Sequence, residues 1–278
     1  MKALFDQVSH LSSKLTTKKY STSFSLGILC LDKSIHQDIY NIYGLVRFAD
    51  EIVDTFHGFD KRTLLTEFKD ETFKAIERKI SLNPILNSFQ ETVNKYDIDH
   101  EHILTFFKSM EMDLEDIKYD HYAYEQYILG SAEVVGLMCL KVFTQGDLQE
   151  YESLKPFAMK LGAAFQKVNF LRDIKSDYET LGRIYFPNIN VNGGYANYKA
   201  QIEEDIEQDF KISLEGIKTL PKNSRFGVYV AYMYYQSLFM IIKQMNFNTM
   251  FYKRIRVNNF KKFYLIIYAY FRFKLRLI

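Results

Sequence analysis

Residues that interrupt regular structure are scarce in this chain: 12 glycines and 4 prolines in 278 residues. Folds made of many short strands need frequent turn residues, so the shortage favours a largely helical protein. Cysteine is scarcer still, with only Cys30 and Cys139. Each stands in an apolar run without Cys-x-x-Cys spacing. That argues against a disulfide framework or zinc site and for reduced core residues of a cytoplasmic protein. No low-complexity tract, no repeat of 20–50 residues and no Gly/Ser linker divides the chain, which therefore reads as one domain over 1–278. The opening residues, Met1-Lys2-Ala3-Leu4-Phe5-Asp6, lack the apolar core and small-residue cleavage site of a secretory signal.

Acidic residues are missing from one end. From Gly216 to Ile278 there are 12 Lys/Arg and no Asp/Glu, which leaves 36 − 12 = 24 basic against 34 acidic residues elsewhere. The near-neutral total thus hides a body of about −10 and a basic tail. The tail's apolar run, Phe263 to Phe271, is far shorter than the roughly 20 residues that span a bilayer. Basic residues around an aromatic stretch suit a segment lying on an anionic membrane, peripheral on its inner face. They equally suit a last core helix with a solvated edge. Nucleic acid is not an expected partner, because no recognition motif accompanies the charge.

Between these limits, apolar periodicity predicts helices over Asp32–Phe56, Asp60–Ile80, Pro84–Tyr96, Asp99–Lys118 and Tyr122–Phe143, the last apolar on most sides. A long helix is expected to open at Pro156 and run through Asp177. Gly182–Tyr198 reads as a loop, followed by helices over Ile202–Leu220 and Ser224–Met245.

Two of these helices carry a polar stripe on an otherwise apolar surface. On the first, Tyr43, Arg47, Asp50 and Asp54 fall at i, i+4, i+7 and i+11, one continuous face. On the second, Gln166, Asn169, Asp173 and Asp177 fall at i, i+3, i+7 and i+11. A solvated helix has a wide polar face and a narrow apolar one, so the inverted pattern predicts stripes lining an internal cavity. Carboxylates four apart repel each other, the more so when buried, unless a cation joins them. Asp, Asn and Gln are hard oxygen donors suited to magnesium, which commonly shares its shell with substrate phosphate. Manganese is the alternative ion. Arg47 and Arg172 then read as phosphate clamps. A metal-bound diphosphate in an apolar pocket suggests prenyl chemistry, in which departing charge is stabilised and water kept from a carbocation. The supply of 24 Phe and 21 Tyr offers aromatic faces for such a cation.

The sequence resembles the squalene/phytoene synthase family over nearly its whole length. The resemblance is carried by Tyr20-Ser21-Thr22-Ser23-Phe24-Ser25, by the stretch Ile42 to Asp54, by the stretch Gln166 to Asp177, and by Arg183-Ile184-Tyr185-Phe186-Pro187. It implies an all-α isoprenoid-synthase bundle around a central cavity. It also implies head-to-head coupling of two prenyl diphosphates through a cyclopropylcarbinyl diphosphate. Carried over by position, it makes Asp50, Asp54, Asn169, Asp173 and Asp177 metal-binding. It makes Tyr20, Ser21, Ser23, Tyr43, Arg47, Gln166, Arg172, Tyr185, Tyr234 and Arg254 substrate-contacting, and Arg47, Asp50, Asp54, Asp173 and Asp177 catalytic. Met112-Asp113-Leu114 and Val134-Val135-Gly136-Leu137-Met138 resemble bacterial phytoene synthases, which join two geranylgeranyl diphosphates in carotenoid biosynthesis. Coupling of two farnesyl diphosphates to squalene or dehydrosqualene is the alternative. No G-x-G-x-x-G motif is present, though squalene synthases bind their nicotinamide cofactor without one. A third reading, a non-catalytic scaffold relative, is disfavoured because such relatives lose the four aspartates. Glu133 stands where the family has a small glycine, as a pocket contact or as a helix-face change. Leu26-Gly27-Ile28, if at the pocket end, leaves room for a long tail.

Overall fold

The computed structural model describes residues 1–115, 117–187, 195–245, 255–275 and 277–278. Its helices are α1 (Lys2–Tyr20), α2 (Thr22–Leu29), α3 (His36–Thr55, after a 3-10 turn at Lys33–Ile35), α4 (Lys61–Arg78), α5 (Pro84–Tyr96) and α6 (His100–Met112). There follow α7 (His121–Ile128), a π-helical turn (Leu129–Glu133), α8 (Val134–Phe143), α9 (Leu148–Leu181), α10 (Tyr195–Thr219), α11 (Lys222–Lys243) and α12 (Asn259–Lys274). No strand occurs among the described residues, so the expected all-α class is observed.

The helix starts are written in short polar side chains. Asp60, Asn83, Asp120, Asp147 and Asn258 each accept a backbone N–H of the first turn of α4, α5, α7, α9 and α12. Pro84 occupies the first position of α5, where its missing N–H costs nothing. Pro156 departs from expectation. It lies inside α9 instead of opening it. The helix starts at the Asp147 cap, and Tyr151 and Leu154, both almost wholly buried, fix the turns before the proline. An interior proline costs about 3 kcal/mol, and burial of that first segment offsets it.

Two apolar cores flank a central space. One joins α3, α4, α5, α6 and one side of α8 through Leu45, Val53, Leu65, Phe89, Phe107 and Met138. The other joins α7, α9, α10, α11 and the opposite side of α8 through Leu140, Val168, Leu171, Ile206, Tyr229 and Ile242. Helix α8 serves both, which explains why its sequence is apolar on most sides. Among the described residues, His121–Phe143 is the one helical stretch long and apolar enough to cross a membrane. Half of it is buried inside the protein, and its place between the two cores accounts for its apolarity.

Helix α1 packs the other way round from an ordinary surface helix. Its buried face is Ser9, Ser13 and Thr17, while Leu4, Val8, Leu11 and Leu15 are exposed. Ser13 Oγ lies 2.6 Å from Ser88 Oγ, and Asn87 Nδ2 donates to Ser9 Oγ at 3.1 Å. The close approach requires glycine at 44, where a Cβ would meet Ser13 Oγ at 2.9 Å.

Candidate active site

Helix α3 buries Ile42, Leu45, Ala49 and Val53, which turns Tyr43, Arg47, Asp50 and Asp54 towards the central space. Helix α9 buries Ala164, Val168, Leu171 and Ile174, which turns Gln166, Asn169, Asp173 and Asp177 the same way. The two stripes face each other. Asp54 and Asp173 both raise the pKa of Asp177, and Tyr235 of α11 lies within electrostatic reach of Tyr43 on one side and of Arg172 on the other.

At the acidic end every arginine rests on a carboxylate. Arg47 pairs with Asp50 and Glu51. Arg172 Nε donates to Asp173 at 3.0 Å. Arg183 Nη1 reaches Asp54 at 3.0 Å and Asp113 at 3.2 Å, while its Nη2 donates to the Asp113 carbonyl at 2.6 Å. Gly182, at φ 67°, ends α9 in the left-handed conformation. The reversed chain then lets the Arg183 N–H donate to the Asp177 carbonyl at 2.9 Å and brings the Arg183 side chain back over the aspartates. Asp113 also accepts from Tyr127 at 2.7 Å and Tyr185 at 3.1 Å.

The carboxylates outnumber these cations. Burial first, then Asp54, push Asp50 up to about 7 against the pull of Arg47. The Asp50 side chain is still a third open to solvent, so its crowding comes from neighbours at the rim of a cavity and not from sealed packing. Burial followed by Asp173 and Asp54 take Asp177 to about 8. Asp113 rises to about 6 from burial, with Arg183 opposing. Burial works against the charge of Arg172, yet Asp173 holds its guanidinium above the usual range. Among the described residues no three carboxylate, histidine or cysteine side chains surround one point closely enough to hold a single ion. The donor set nevertheless fits a hard divalent cation: two carboxylate pairs and an amide oxygen face each other with excess negative charge between them.

Away from the acids the stripes become neutral. Tyr235 OH donates to Asn169 Oδ1 at 3.3 Å, Asn169 Nδ2 to Gln166 Oε1 at 3.3 Å, and Gln166 Nε2 to Ser131 Oγ at 3.2 Å. Beyond Gln166 and Ser131 lies an apolar cavity of about 260 Å³ lined by Phe24, Ile28, Val135, Leu161, Phe165 and Ala231 among others, and reaching Phe143 and Leu154. Of the segment Leu26-Gly27-Ile28, Gly27 and Ile28 line it and Leu26 does not. Glycine at 162 lets α9 close on the π turn, since a Cβ there would sit 2.7 Å from the Ala132 carbonyl. A larger groove, about 670 Å³, lies between α3 and α4. Of the acidic site it shares Glu51, with Tyr20 at its edge, whereas the smaller cavity meets the stripes through Gln166.

The remaining predicted residues are distributed around this centre. Tyr20 lies 4.3 Å beneath the Arg47 guanidinium. Ser21 caps α2 and is hydrogen-bonded to Tyr43, whose hydroxyl burial raises to about 12. Tyr185 sits one layer behind the aspartates, stacked on Phe170 at 4.3 Å. Ser23 and Tyr234 share a seam beside α12. The next residue, Tyr235, is the one bonded to Asn169 and stacked on Phe165 at 3.9 Å. Arg254 lies outside the described residues. Sequence reasoning did not single out Arg183, Asp113, Tyr127 or Tyr235 as site residues, although Asp113 and Arg183 stand inside two of the stretches that carry the family resemblance. Glu133 does not line the cavity; it faces Lys160, Lys167 and Asp209.

An all-helical bundle whose two acidic stripes meet above an apolar cavity defines a class. The pattern of the squalene/phytoene synthase family matches residues 17–261, and the chain belongs to that family. Its members are head-to-head prenyl diphosphate condensing enzymes. The chain is similar to the chloroplastic phytoene synthase of Narcissus pseudonarcissus, 26% identical over 91% of this chain and 63% of that protein. It therefore spans less than two thirds of that relative's length. It is also similar to the 4,4'-diapophytoene synthase of Staphylococcus haemolyticus, 26% identical over 69% of this chain and 65% of the other. In fold it matches a dehydrosqualene synthase crystallised with a ligand, with a TM-score of 0.81 at 19% identity, covering 97% of this chain and 98% of that one.

Proposed function

We propose that this chain joins two prenyl diphosphates head to head, with geranylgeranyl diphosphate as substrate and 15-cis-phytoene as product, in carotenoid biosynthesis. One observation carries the diphosphate reading: the carboxylates of Asp50, Glu51, Asp54, Asp113, Asp173 and Asp177 outnumber the guanidiniums of Arg47, Arg172 and Arg183, on stripes whose inner member Gln166 lines an apolar cavity. Such a site repels a bare anion and accepts one accompanied by divalent cations. Asp50, Asp54, Asn169, Asp173 and Asp177 are the residues that would hold magnesium, or manganese. The ion's contribution when bound is to neutralise the departing diphosphate.

The chain's own groups do the rest. Breaking the allylic C–O bond sends both electrons to diphosphate, and Arg47 and Arg172 stand where they can hold that charge. Arg47 Nε is buried with no hydrogen-bond partner among the described residues, a donor left for a ligand. The cation left behind meets aromatic faces, with Phe24 stacked on Tyr43 at 4.8 Å and Phe165 stacked on Tyr235 at 3.9 Å. The apolar walls keep water from quenching it. A second reading, coupling of two farnesyl diphosphates, is favoured by the likeness to the diapophytoene synthase.

Purified protein given magnesium and either geranylgeranyl or farnesyl diphosphate, with the product identified by mass, separates these readings. A C40 hydrocarbon supports the first, a C30 product replaces it with the second, and no coupled product from either substrate removes both.

A further inference from the structure

Helix α12 is apolar on both of its faces. Leu265, Ile266 and Ala269 face inward, and Phe273 packs on Phe226 of α11 with ring centroids 5.4 Å apart. The opposite face is Phe260, Phe263, Tyr264, Ile267, Tyr270 and Phe271, which are 40% to 83% exposed. At about 200 Å² for a fully open aromatic residue, that face presents on the order of 700 Å² of largely apolar surface, more than monomers usually leave open. Lys261, Lys262 and Arg272 flank it, and no acidic residue occurs anywhere from Gly216 to Ile278. An aromatic face bordered only by cations is complementary to an anionic lipid surface.

The space beneath this helix leads towards the cavity. A narrow seam between α2, α11 and α12 is lined by Leu26, Val230, Leu265 and Ile266, with Gly27 and Ala231. Gly27 and Ala231 also line the apolar cavity. A Cβ built on Gly27 would lie 3.9 Å from that of Ala231, so the partition between cavity and seam is one backbone and one methyl group thick.

We propose that α12 lies on an anionic lipid surface and that this seam is the route by which a water-insoluble product passes from the cavity into the bilayer. The egress part rests on the reading of the cavity as a prenyl site; the docking part does not.

The test uses the full chain and Phe260→Ser/Phe263→Ser/Phe271→Ser, which changes only exposed side chains. Sedimentation is measured with vesicles of phosphatidylcholine plus phosphatidylglycerol, and of phosphatidylcholine alone. The parent chain is expected to bind the anionic vesicles and the variant at least about tenfold less, with unchanged circular dichroism. Turnover is then followed with prenyl diphosphate. Anionic vesicles are expected to speed the parent's steady state without changing its first turnover, and the variant is expected to keep the first turnover and lose the stimulation. Equal vesicle binding by parent and variant, or equal binding to both lipids, overturns the docking. Self-association that the variant abolishes, without lipid binding by the parent, reassigns the face to a second copy. Stimulation that persists in the variant overturns the egress route. If no turnover occurs at all, the enzymatic reading fails while sedimentation still decides the docking.

Discussion

Replacing Arg183 by methionine should produce a stability loss that grows with pH. The Asp113 side chain is 3% exposed and lies 3.2 Å from Arg183 Nη1. In the intact protein its carboxyl is raised from 3.8 to about 6. A raised carboxyl pKa destabilises the fold at pH values above it, because the unfolded chain gives up the proton more readily. At 1.36 kcal/mol per pH unit, holding Asp113 ionised already costs about 3 kcal/mol at pH 7. Without Arg183 the acid can escape further cost by keeping its proton, which caps the penalty at about 4 kcal/mol at pH 7. The added loss is therefore at most about 1 kcal/mol at pH 7, at most about 3 at pH 8, and close to zero at pH 6. For a chain of this size that is a fall in Tm of roughly 3 °C at pH 7 and 6 °C at pH 8. Thermal melts at several pH values between 6 and 8.5 measure it. Adding Asp113→Asn to the same variant should remove Asp113's share of the slope, since the amide does not titrate; its oxygen can accept from one of Tyr127 and Tyr185 while its NH2 donates to the hydroxyl oxygen of the other. A deficit that is the same at every pH would refute the claim that Arg183 holds Asp113 ionised.

Three further outcomes follow from the same charges. Asp50→Asn and Asp173→Asn should each lower turnover by about 10³-fold or more; Asp50→Asn should leave Tm equal or higher, because the charge it removes is one that burial and Asp54 already oppose. Inorganic diphosphate with magnesium should stabilise the protein by about 2.7 kcal/mol at a hundred times its Kd, and either alone by much less; equal shifts from diphosphate alone would contradict a site short of positive charge. Glu133 is raised by burial from 4.5 to about 7, an upper bound of about 3 kcal/mol against the fold above pH 7, which solvent screening reduces to about 1–2. Glu133→Gln should accordingly raise Tm at pH 8 and leave it unchanged near pH 4, as thermal melts at the two pH values would report.

What could be read in the sequence was whatever repeats with the period of a helix. The stripes of α3 and α9 were visible because their polar positions interrupt an apolar background at i+3 or i+4, i+7 and i+11 spacing, and the structure turns both into one space. Helix α1 was not visible because its buried face is Ser9, Ser13 and Thr17, the reverse of the usual pattern. Pro156 misled because proline is commonest at a first helical position, whereas here the Asp147 cap and the buried Tyr151 start the helix eight residues sooner. Tyr235 and Tyr234 are neighbours in sequence but about 100° apart on α11, so a motif match one position off selects the seam instead of the amide network. Asp113 and Arg183 meet only because three separate segments converge, and no local pattern records that.

The arginines explain how an acidic site can wait for an anion. Left alone, Asp50, Asp54 and Asp173 would repel one another across the cavity mouth. Arg47, Arg172 and Arg183 each cover one of them, so the fold holds the carboxylates in place at tolerable cost. The cover is incomplete. Asp177 makes no ion pair within 4 Å among the described residues and is raised to about 8. Lys61, which also feels Asp54, donates instead to the Val53 carbonyl at 2.8 Å. Tighter cover by the arginines would leave no deficit for a cation to fill, and fewer carboxylates would let a bare phosphate bind unproductively. The balance between those limits is set by geometry. Arg47 sits on the first stripe and Arg172 beside Asp173 of the second, each next to the carboxylate it covers. Arg183 is anchored from behind by the Asp113 carbonyl and carboxylate, a second hold that Arg47 and Arg172 do not share among the described residues.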